Sequence, residues 1–506
     1  MLKKFCFLVL VAGLHFSVFA QLSPQDIKIE SEKGLRSSLQ EFSEFLQIPN
    51  NGNDPKQIEE NLNWCQSQLE NLGYQTQVLS SGGIPHLFAQ DIANPAKKTV
   101  LVYMQIDGQP VDPSAWDQEN PYLPVLKEKI NGGFSEIPWE SLNGEINPDW
   151  KIFARSASDS KGPAMAFLTA LKILKEKGIE PSVNLKFILD FQEELSSPQL
   201  KTIVSENLGL FHSDGVLIMD GTRHLSNLPN LSFGARGIVT ATIKVFGARN
   251  DLHSGQYGNY APNPVFHLAR LIAAMKDEDG RVLIPGFYGG VAISEVDQKA
   301  MAAVPEDPNT INADLGIAQN EKVGNSYQES MQYPSLNIRG MRAAWVEEDV
   351  RTLIPSEAIA EIDMRIVKET PAERQAQMLK DFIESQGFHL IAGTKPTEME
   401  RRTYPKLASF HYKIGSMAFR ADLESDFGMW LERGMQYVFD RFYVKTRQTG
   451  GSQPMAPFVN LLDVPAVSVR IPNPDNSIHA PNENIRIGNY LEGIQTCLSI
   501  LLQEFE

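Results

Sequence analysis

Glu193 and Glu194 are adjacent carboxylates that follow an alternating, branched and aromatic run, Val183 to Leu189, with the spacing of a strand. Ser196-Ser197-Pro198 behind them predicts a turn. Two neighbouring acids at a strand end repel each other and contribute nothing to packing. A bare pair of this kind is most often a solvated loop. At a metal centre the two can divide the work, one binding the cation and the other acting as general base toward a water.

The rest of the chain supplies company for the pair. Thr99 to Met104 is an unbroken apolar run of the buried-strand kind, and it ends at Gln105-Ile106-Asp107. Val216 to Met219 is a second such run, and it ends at Asp220. In open α/β sheets ligands bind at the carboxyl ends of the strands, and these polar residues all fall there. Asp159 precedes Lys161-Gly162-Pro163 and the apolar face Phe167, Leu168, Leu171 and Leu174 of a helix; alone it serves equally well as that helix's N-terminal cap. His479 and His253 stand in loops, where single histidines are usually surface residues. Together Asp159, Glu194, Asp220 and His479 form a hard-oxygen and imidazole set suited to zinc or manganese. Asp159 would be the bridge if two ions bind.

The elements that must position these groups follow from periodicity. Strand and helix alternate from Tyr74 to Asp220, which predicts an α/β unit with a mostly parallel sheet and helices on both faces. Beyond Leu231 the texture changes. Alternating strands Ile238–Phe246 and Ala358–Val367, with helices at 263–275 and 371–386, predict an inserted α+β lid. The α/β texture resumes near Met417. The expected division is a leader over 1–20, a first catalytic part over 21–231, a lid over 232–416 and a second catalytic part over 417–506. Residues 109–150, with Trp116, Trp139 and Trp150, read as a long polar loop, and 295–332 as an acidic, loop-rich excursion.

Composition narrows the function classes. The chain has 506 residues, 42% hydrophobic and 21% charged, as soluble globular proteins do. Lys3 and Lys4 precede an apolar run from Phe5 to Phe19 that ends in Val18-Phe19-Ala20, the pattern of a secretory signal peptide. The expected location is therefore periplasmic or extracellular. The net charge of −16 falls by two more once Lys3 and Lys4 leave, which argues against nucleic acid as a partner. No other stretch is apolar enough to span a bilayer. Cys65 and Cys497 would be the remaining cysteines, free or paired, and are too few for a cysteine zinc site.

The motifs, in order, resemble the two-metal aminoacylase/carboxypeptidase superfamily of metallopeptidases, in its carnosinase and cytosolic non-specific dipeptidase branch. The resemblance covers almost the whole chain after the leader. Gln105-Ile106-Asp107-Gly108-Gln109-Pro110 with Trp116 is similar to the family's His-x-Asp-x-Gln-Pro and tryptophan, and Asp107 is its catalytic aspartate. Asp159-Ser160-Lys161-Gly162-Pro163 carries the bridging aspartate. Glu193 is implied as general base, with Glu194, Asp220 and His479 as further metal ligands. His253, in Asp251-Leu252-His253-Ser254-Gly255, would reach the other subunit's site and help to hold an oxyanion, which implies a homodimer through the lid. Thr352, Arg365, Gly451 and Ser452 match residues that contact substrate. The resemblance implies a zinc- or manganese-dependent hydrolase of dipeptides or short peptides.

The sequence departs from that pattern at three places. Gln105 stands where the family has its first histidine ligand, and a neutral amide oxygen is a weaker donor for zinc than imidazole. Gln448-Thr449 stands where Arg-Glu is usual. Leu423 to Phe427 lacks the histidine expected near the lid's end. Two alternatives follow: hydrolysis of N-acyl amino acids by the same chemistry, or a silent peptide-binding relative.

Overall fold

The strand Thr99–Gln105 lies at the centre of the fold because both of its faces are apolar. In the computed structural model, which describes residues 22–92 and 94–506, it runs parallel to Asn184–Asp190 on one side and to Gly215–Ile218 on the other. Val100, Val102 and Met104 face one core with Phe167, Tyr490 and Leu498. Leu101 and Tyr103 face a second core with Leu200, Ile203 and Phe458. Helices therefore cover both faces, which is why this strand shows no polar alternation. The leader expected over 1–20 lies outside the described residues.

The eight-stranded sheet runs Gln75–Ser81, Ile84–Asp91, Asn184–Asp190, Thr99–Gln105, Gly215–Ile218, Ala466–Arg470, Asn230–Ser232 and Val444–Thr446. Four of its seven pairings are parallel, and they include the three central ones. Register brings the functional ends level. Gln105 is opposite Asp190, Tyr103 is opposite Ile218 and Ser468 is opposite Ile218. Gln105, Asp190, Asp220 and Arg470 consequently leave the sheet at the same height.

Helix Lys161–Lys177 packs against Pro24–Leu46 and Ile487–Leu502. Tyr490 stacks on Phe42 with ring centroids 5.2 Å apart, and its hydroxyl meets Ser38 Oγ at 2.5 Å. Lys161 is buried, and its Nζ donates to the carbonyls of Phe45 and Ile48 at 2.8 and 2.7 Å. A buried ammonium needs such acceptors, and here they fix the start of the helix next to Asp159.

A second, five-stranded sheet runs Ser335–Arg342, Glu357–Ile366, Gly237–Phe246, Leu407–Ile414 and His389–Leu390. Its long strands alternate between buried and half-buried residues, and helices Pro264–Ala273 and Ala372–Ser385 cover the buried face. A short ladder, Gly234 opposite Arg420 and Ala235 opposite Phe419, joins the points where the chain leaves the first sheet and returns to it.

Two expectations are corrected. The stretch after Gly108 is not one long polar loop. It contains Val125–Ile130, Gly133–Ile137 and Lys151–Phe153, which form a small sheet with Asn484–Arg486. The hairpin turns at Asn131 and Gly132, φ 50° and 87°, the left-handed pair that a two-residue turn requires. Lysines and glutamate within Val125–Ile130 mask its apolar pattern. The excursion 295–332 carries three short helices, Glu295–Ala302, Pro308–Leu315 and Tyr327–Ser330, each capped by Ser294, Asp307 or Ser326. Polar ties hold the excursion: Glu306 to His224 at 2.9 Å and Asp297 to Arg447 at 2.6 Å. Among the described residues no helix is long and apolar enough to cross a membrane, and Cys65 and Cys497 are buried and unpaired.

Candidate active site

The strand ends deliver the acids, and backbone hydrogen bonds then aim them. Beyond Asp190 the chain turns sharply. The Asp190 carboxylate accepts the Gln192 amide at 2.9 Å, the Tyr103 hydroxyl at 3.0 Å and the Ser197 hydroxyl, and it faces His86 Nε2 at 3.3 Å. The turn carries Glu193 and Glu194. Asp107 takes both of their amides, Glu193 N on Oδ1 at 2.9 Å and Glu194 N on Oδ2 at 3.1 Å.

Asp159 arrives from a different direction, just before helix Lys161–Lys177, and is joined to Ser160 by a cis peptide. Its loop is organised by Glu483, which is fully buried. The Glu483 carboxylate accepts from the amides of Ser156, Ser158 and Asp159, each at 2.9 Å, from Ser158 Oγ at 2.8 Å and from Arg155 Nη1 at 2.7 Å. His479 is four residues before Glu483, so one loop both shapes the Asp159 segment and presents the imidazole. Asn476 steadies that loop by donating to Thr222 Oγ1 at 2.8 Å and accepting the Ile478 amide at 2.9 Å.

Asp159, Glu194 and His479 converge, with one ligand atom from each lying within 4.8 Å of the others. His479 Nε2 is 2.9 Å from Asp159 Oδ2 and 3.3 Å from Glu194 Oε2. Asp220 lies beside this group and is tied in through Ser160 Oγ, which donates to it at 2.7 Å and to Asp159 Oδ1 at 3.1 Å. Gln453 Nε2 donates to the other Asp220 oxygen at 2.7 Å. Gly221, at φ 98°, leaves room for Arg470, whose Nη1 would lie 2.0 Å from a side-chain carbon there. Gln105 is buried at the end of its strand, and its Nε2 has no hydrogen-bond partner.

The electrostatics are those of buried acids crowded together, with Arg470 as the cation that favours the ionised form of Asp220. Burial, then Asp220, Asp159, Glu194 and Asp107, hold the Glu193 carboxyl well above the usual range. Burial and then Asp159 push Glu194 up to about 10. Burial and then Asp159 raise Asp220. Burial and then Asp190 raise Asp107. His479 is raised by its hydrogen bond to Asp159. One Glu194 oxygen, Oε1, is buried with no partner. Carboxylates, an imidazole and an unpaired buried carboxylate oxygen are a fitting donor set for one or two divalent cations.

The remaining predicted residues form two further groups. Arg365 Nη1 donates to Ser452 Oγ at 2.9 Å, so the arginine of the lid sheet meets the Gly450-Gly451-Ser452 turn. His253 and Thr352 share a two-stranded ribbon, with His253 opposite Leu353 and Ser254 N donating to Thr352 O at 3.3 Å. His253 is exposed, and its Nδ1 accepts the Gly255 amide at 3.0 Å. The structure does not bring it into the acid cluster. Sequence reasoning singled out neither Ser160 nor Gln453, nor Gln109, whose Nε2 donates to Glu194 Oε2 at 2.6 Å. Each lies in or beside a motif, which was the available signal.

The model of peptidase family M20/M25/M40 matches residues 103–503. The Beta-Ala-His dipeptidase of Rattus norvegicus is 25% identical over 466 residues, 86% of this chain and 85% of its own. The Cys-Gly metallodipeptidase dug1 of Schizosaccharomyces pombe is 25% identical over 423 residues, 81% of each chain. An M20 family metallo-carboxypeptidase from Sulfolobus solfataricus superposes with a TM-score of 0.73 at 26% identity, covering 92% of this chain and 99% of its own. Human carnosine dipeptidase 1 shares the fold, with a TM-score of 0.71 at 22% identity over 95% and 98% of the two chains. The chain belongs to peptidase family M20/M25/M40 and is a metallopeptidase of its carnosinase and dipeptidase branch.

Proposed function

We propose that this protein is an exported, metal-dependent hydrolase that cleaves the amide bond of dipeptides or short peptides, with Glu193 as general base. The observation that carries the reading is the convergence of Asp159, Glu194 and His479 beside Glu193, in a cluster of mutually repelling acids. Asp159, Glu194, Asp220 and His479 are the ligands, for zinc in the first place and manganese in the second, with Gln105 as a weaker neutral donor. When bound, the metal polarises the amide carbonyl and makes water more acidic.

The protein's own groups do the rest. Burial and four neighbouring acids raise the proton affinity of Glu193, which suits a group that takes a proton from water and returns it to the leaving amine. Asp107 fixes the turn that aims Glu193. Arg365, Gly451 and Ser452 bind the substrate's far end. His253 and Thr352 are exposed on their ribbon, so they serve a partner's site in a homodimer, where His253 donates to the oxyanion. The names of the dipeptidase relatives support a dipeptide substrate, and the basic and apolar start at 1–20 supports export.

The test is hydrolysis of a dipeptide panel and of matched N-acyl amino acids by chelator-treated protein, with zinc or manganese restored. Metal-dependent turnover of the dipeptides supports the reading. Turnover confined to N-acyl amino acids replaces the substrate, and no turnover by folded protein with either metal removes the enzyme.

A further inference from the structure

Asp220 stands between two unlike neighbours, and the sheet register puts them there. Tyr103, Ile218 and Ser468 share one rung across three parallel strands. Two residues further along each segment come Gln105, Asp220 and Arg470. Adjacent strands lie about 4.8 Å apart, so Asp220 has a neutral amide on one side and a guanidinium on the other.

Arg470 is buried, and a guanidinium keeps its charge even there. It lies on the backbone of Gly221, where a side-chain carbon would meet Nη1 at 2.0 Å and Cζ at 2.5 Å. Its Nη2 donates to Thr449 Oγ1 at 3.3 Å, a neutral partner, and its Nε is buried with none. The charge is therefore left to Asp220, the acid that favours the charged guanidinium against its burial. The effect is mutual: Arg470 favours the ionised Asp220 carboxyl, which burial and Asp159 raise. Glu194, in the other half of the site, is raised by burial and Asp159, and the donor that opposes them is the neutral amide of Gln109.

The two halves of the site consequently differ in charge and in donors. Asp159, Glu194 and His479 offer two carboxylates and an imidazole within 4.8 Å of one another. Asp159, Asp220 and Gln105 offer two carboxylates and an amide. Both Asp220 oxygens already hold donors, Ser160 Oγ and Gln453 Nε2, each at 2.7 Å. A divalent ion that approached Asp220 would also meet the fixed charge of Arg470, and like charges repel most where water is excluded.

We infer that Arg470 is the resident cation of the Asp220 half of the site, so that the protein holds one divalent ion tightly, on Asp159, Glu194 and His479, and a second only weakly. This deepens the metal-dependent reading and rests on it for the ligands. The binding itself does not require turnover.

The experiment is calorimetric titration of chelator-treated protein with zinc, in the absence of substrate. The parent should take up one zinc per chain in a first step and a second at least about tenfold more weakly. Arg470→Met should tighten the second step about tenfold and leave the first unchanged. Arg470→Lys, which keeps the charge, should leave the second step weak. Gln105→His, with Arg470 in place, should tighten the second step yet keep it weaker than the first, and this variant and the parent decide the matter if Arg470→Met does not fold. Two equally tight ions in the parent or in Gln105→His, or a second step indifferent to Arg470→Met, overturn the proposal and leave the hydrolase reading standing. No zinc bound by any of these proteins removes both. If the two steps behave as stated but no dipeptide is cleaved, the proposal stands and the hydrolase reading falls.

Discussion

Asp107 holds the backbone of Glu193: its Oδ1 accepts the Glu193 amide at 2.9 Å while its Oδ2 takes the Glu194 amide at 3.1 Å. The carboxylate at the end of the central strand thus does not need to touch substrate to matter. It sets the direction in which two other carboxylates point. Asp107→Asn keeps one acceptor and turns a donor toward an amide, so the turn shifts. The expected result is a loss of kcat of ~100-fold, the scale of a small misplacement of catalytic groups, with an unchanged circular dichroism spectrum.

Glu483 is the equivalent organiser on the other side, with five donors on its two oxygens. Glu483→Gln leaves Arg155 buried without a counter-charge and sets an amide NH₂ against backbone amides. Removing one member of a buried pair costs about 3–5 kcal/mol. Urea unfolding should show a loss of that size, and metal affinity should fall as His479 loses its anchor.

A cation that binds only the folded state stabilises it by mass action. Zinc or manganese added to chelator-treated protein should therefore raise Tm. The same addition to Asp159→Asn should raise it much less, because Asp159 meets both His479 and, through Ser160, Asp220. Thermal unfolding with and without metal checks this without any substrate.

Gln105→His replaces a neutral amide with an imidazole at the strand end. Metal titration should resolve a weaker step in the parent that tightens in the variant, with manganese less affected than zinc. Identical titrations of the two proteins would remove Gln105 from the donor set.

If His253 completes a partner's site, Glu193→Gln and His253→Ala chains should complement each other. After dissociation and remixing, half the dimers are hybrid and each hybrid has one intact site, so activity should return to about a quarter of the parent's. Mixing that restores nothing would place His253 outside the reaction.

Much of the site was legible because the central strands are buried on both sides. Thr99 to Met104 and Val216 to Met219 stand out as apolar runs and Val183 to Leu189 as an alternating one, and the structure has strands there, Thr99–Gln105, Gly215–Ile218 and Asn184–Asp190, with polar residues at their ends. In the lid, strands Gly237–Phe246 and Glu357–Ile366 and helices Pro264–Ala273 and Ala372–Ser385 likewise fall where the pattern predicts. Val125–Ile130 was hidden because only part of it is buried and one of its buried residues is the charged Lys127, although Asn131-Gly132 announced the turn. The helices of 295–332 were hidden because ion pairs such as Asp297 with Arg447 hold them rather than an apolar stripe. Ser160, Gln109 and Gln453 have no periodicity at all. They act through side-chain hydrogen bonds to Asp159, Asp220 and Glu194 that only the folded chain creates.

The most direct test of the central claim is the turnover number of Glu193→Gln on a dipeptide that the parent cleaves, with metal content measured on both proteins. Glu193 is the general base in this account and Glu194 a ligand, so the variant should keep its metal and lose about 10²–10⁴-fold in kcat. A variant that keeps its metal and turns over at the parent's rate would contradict the account.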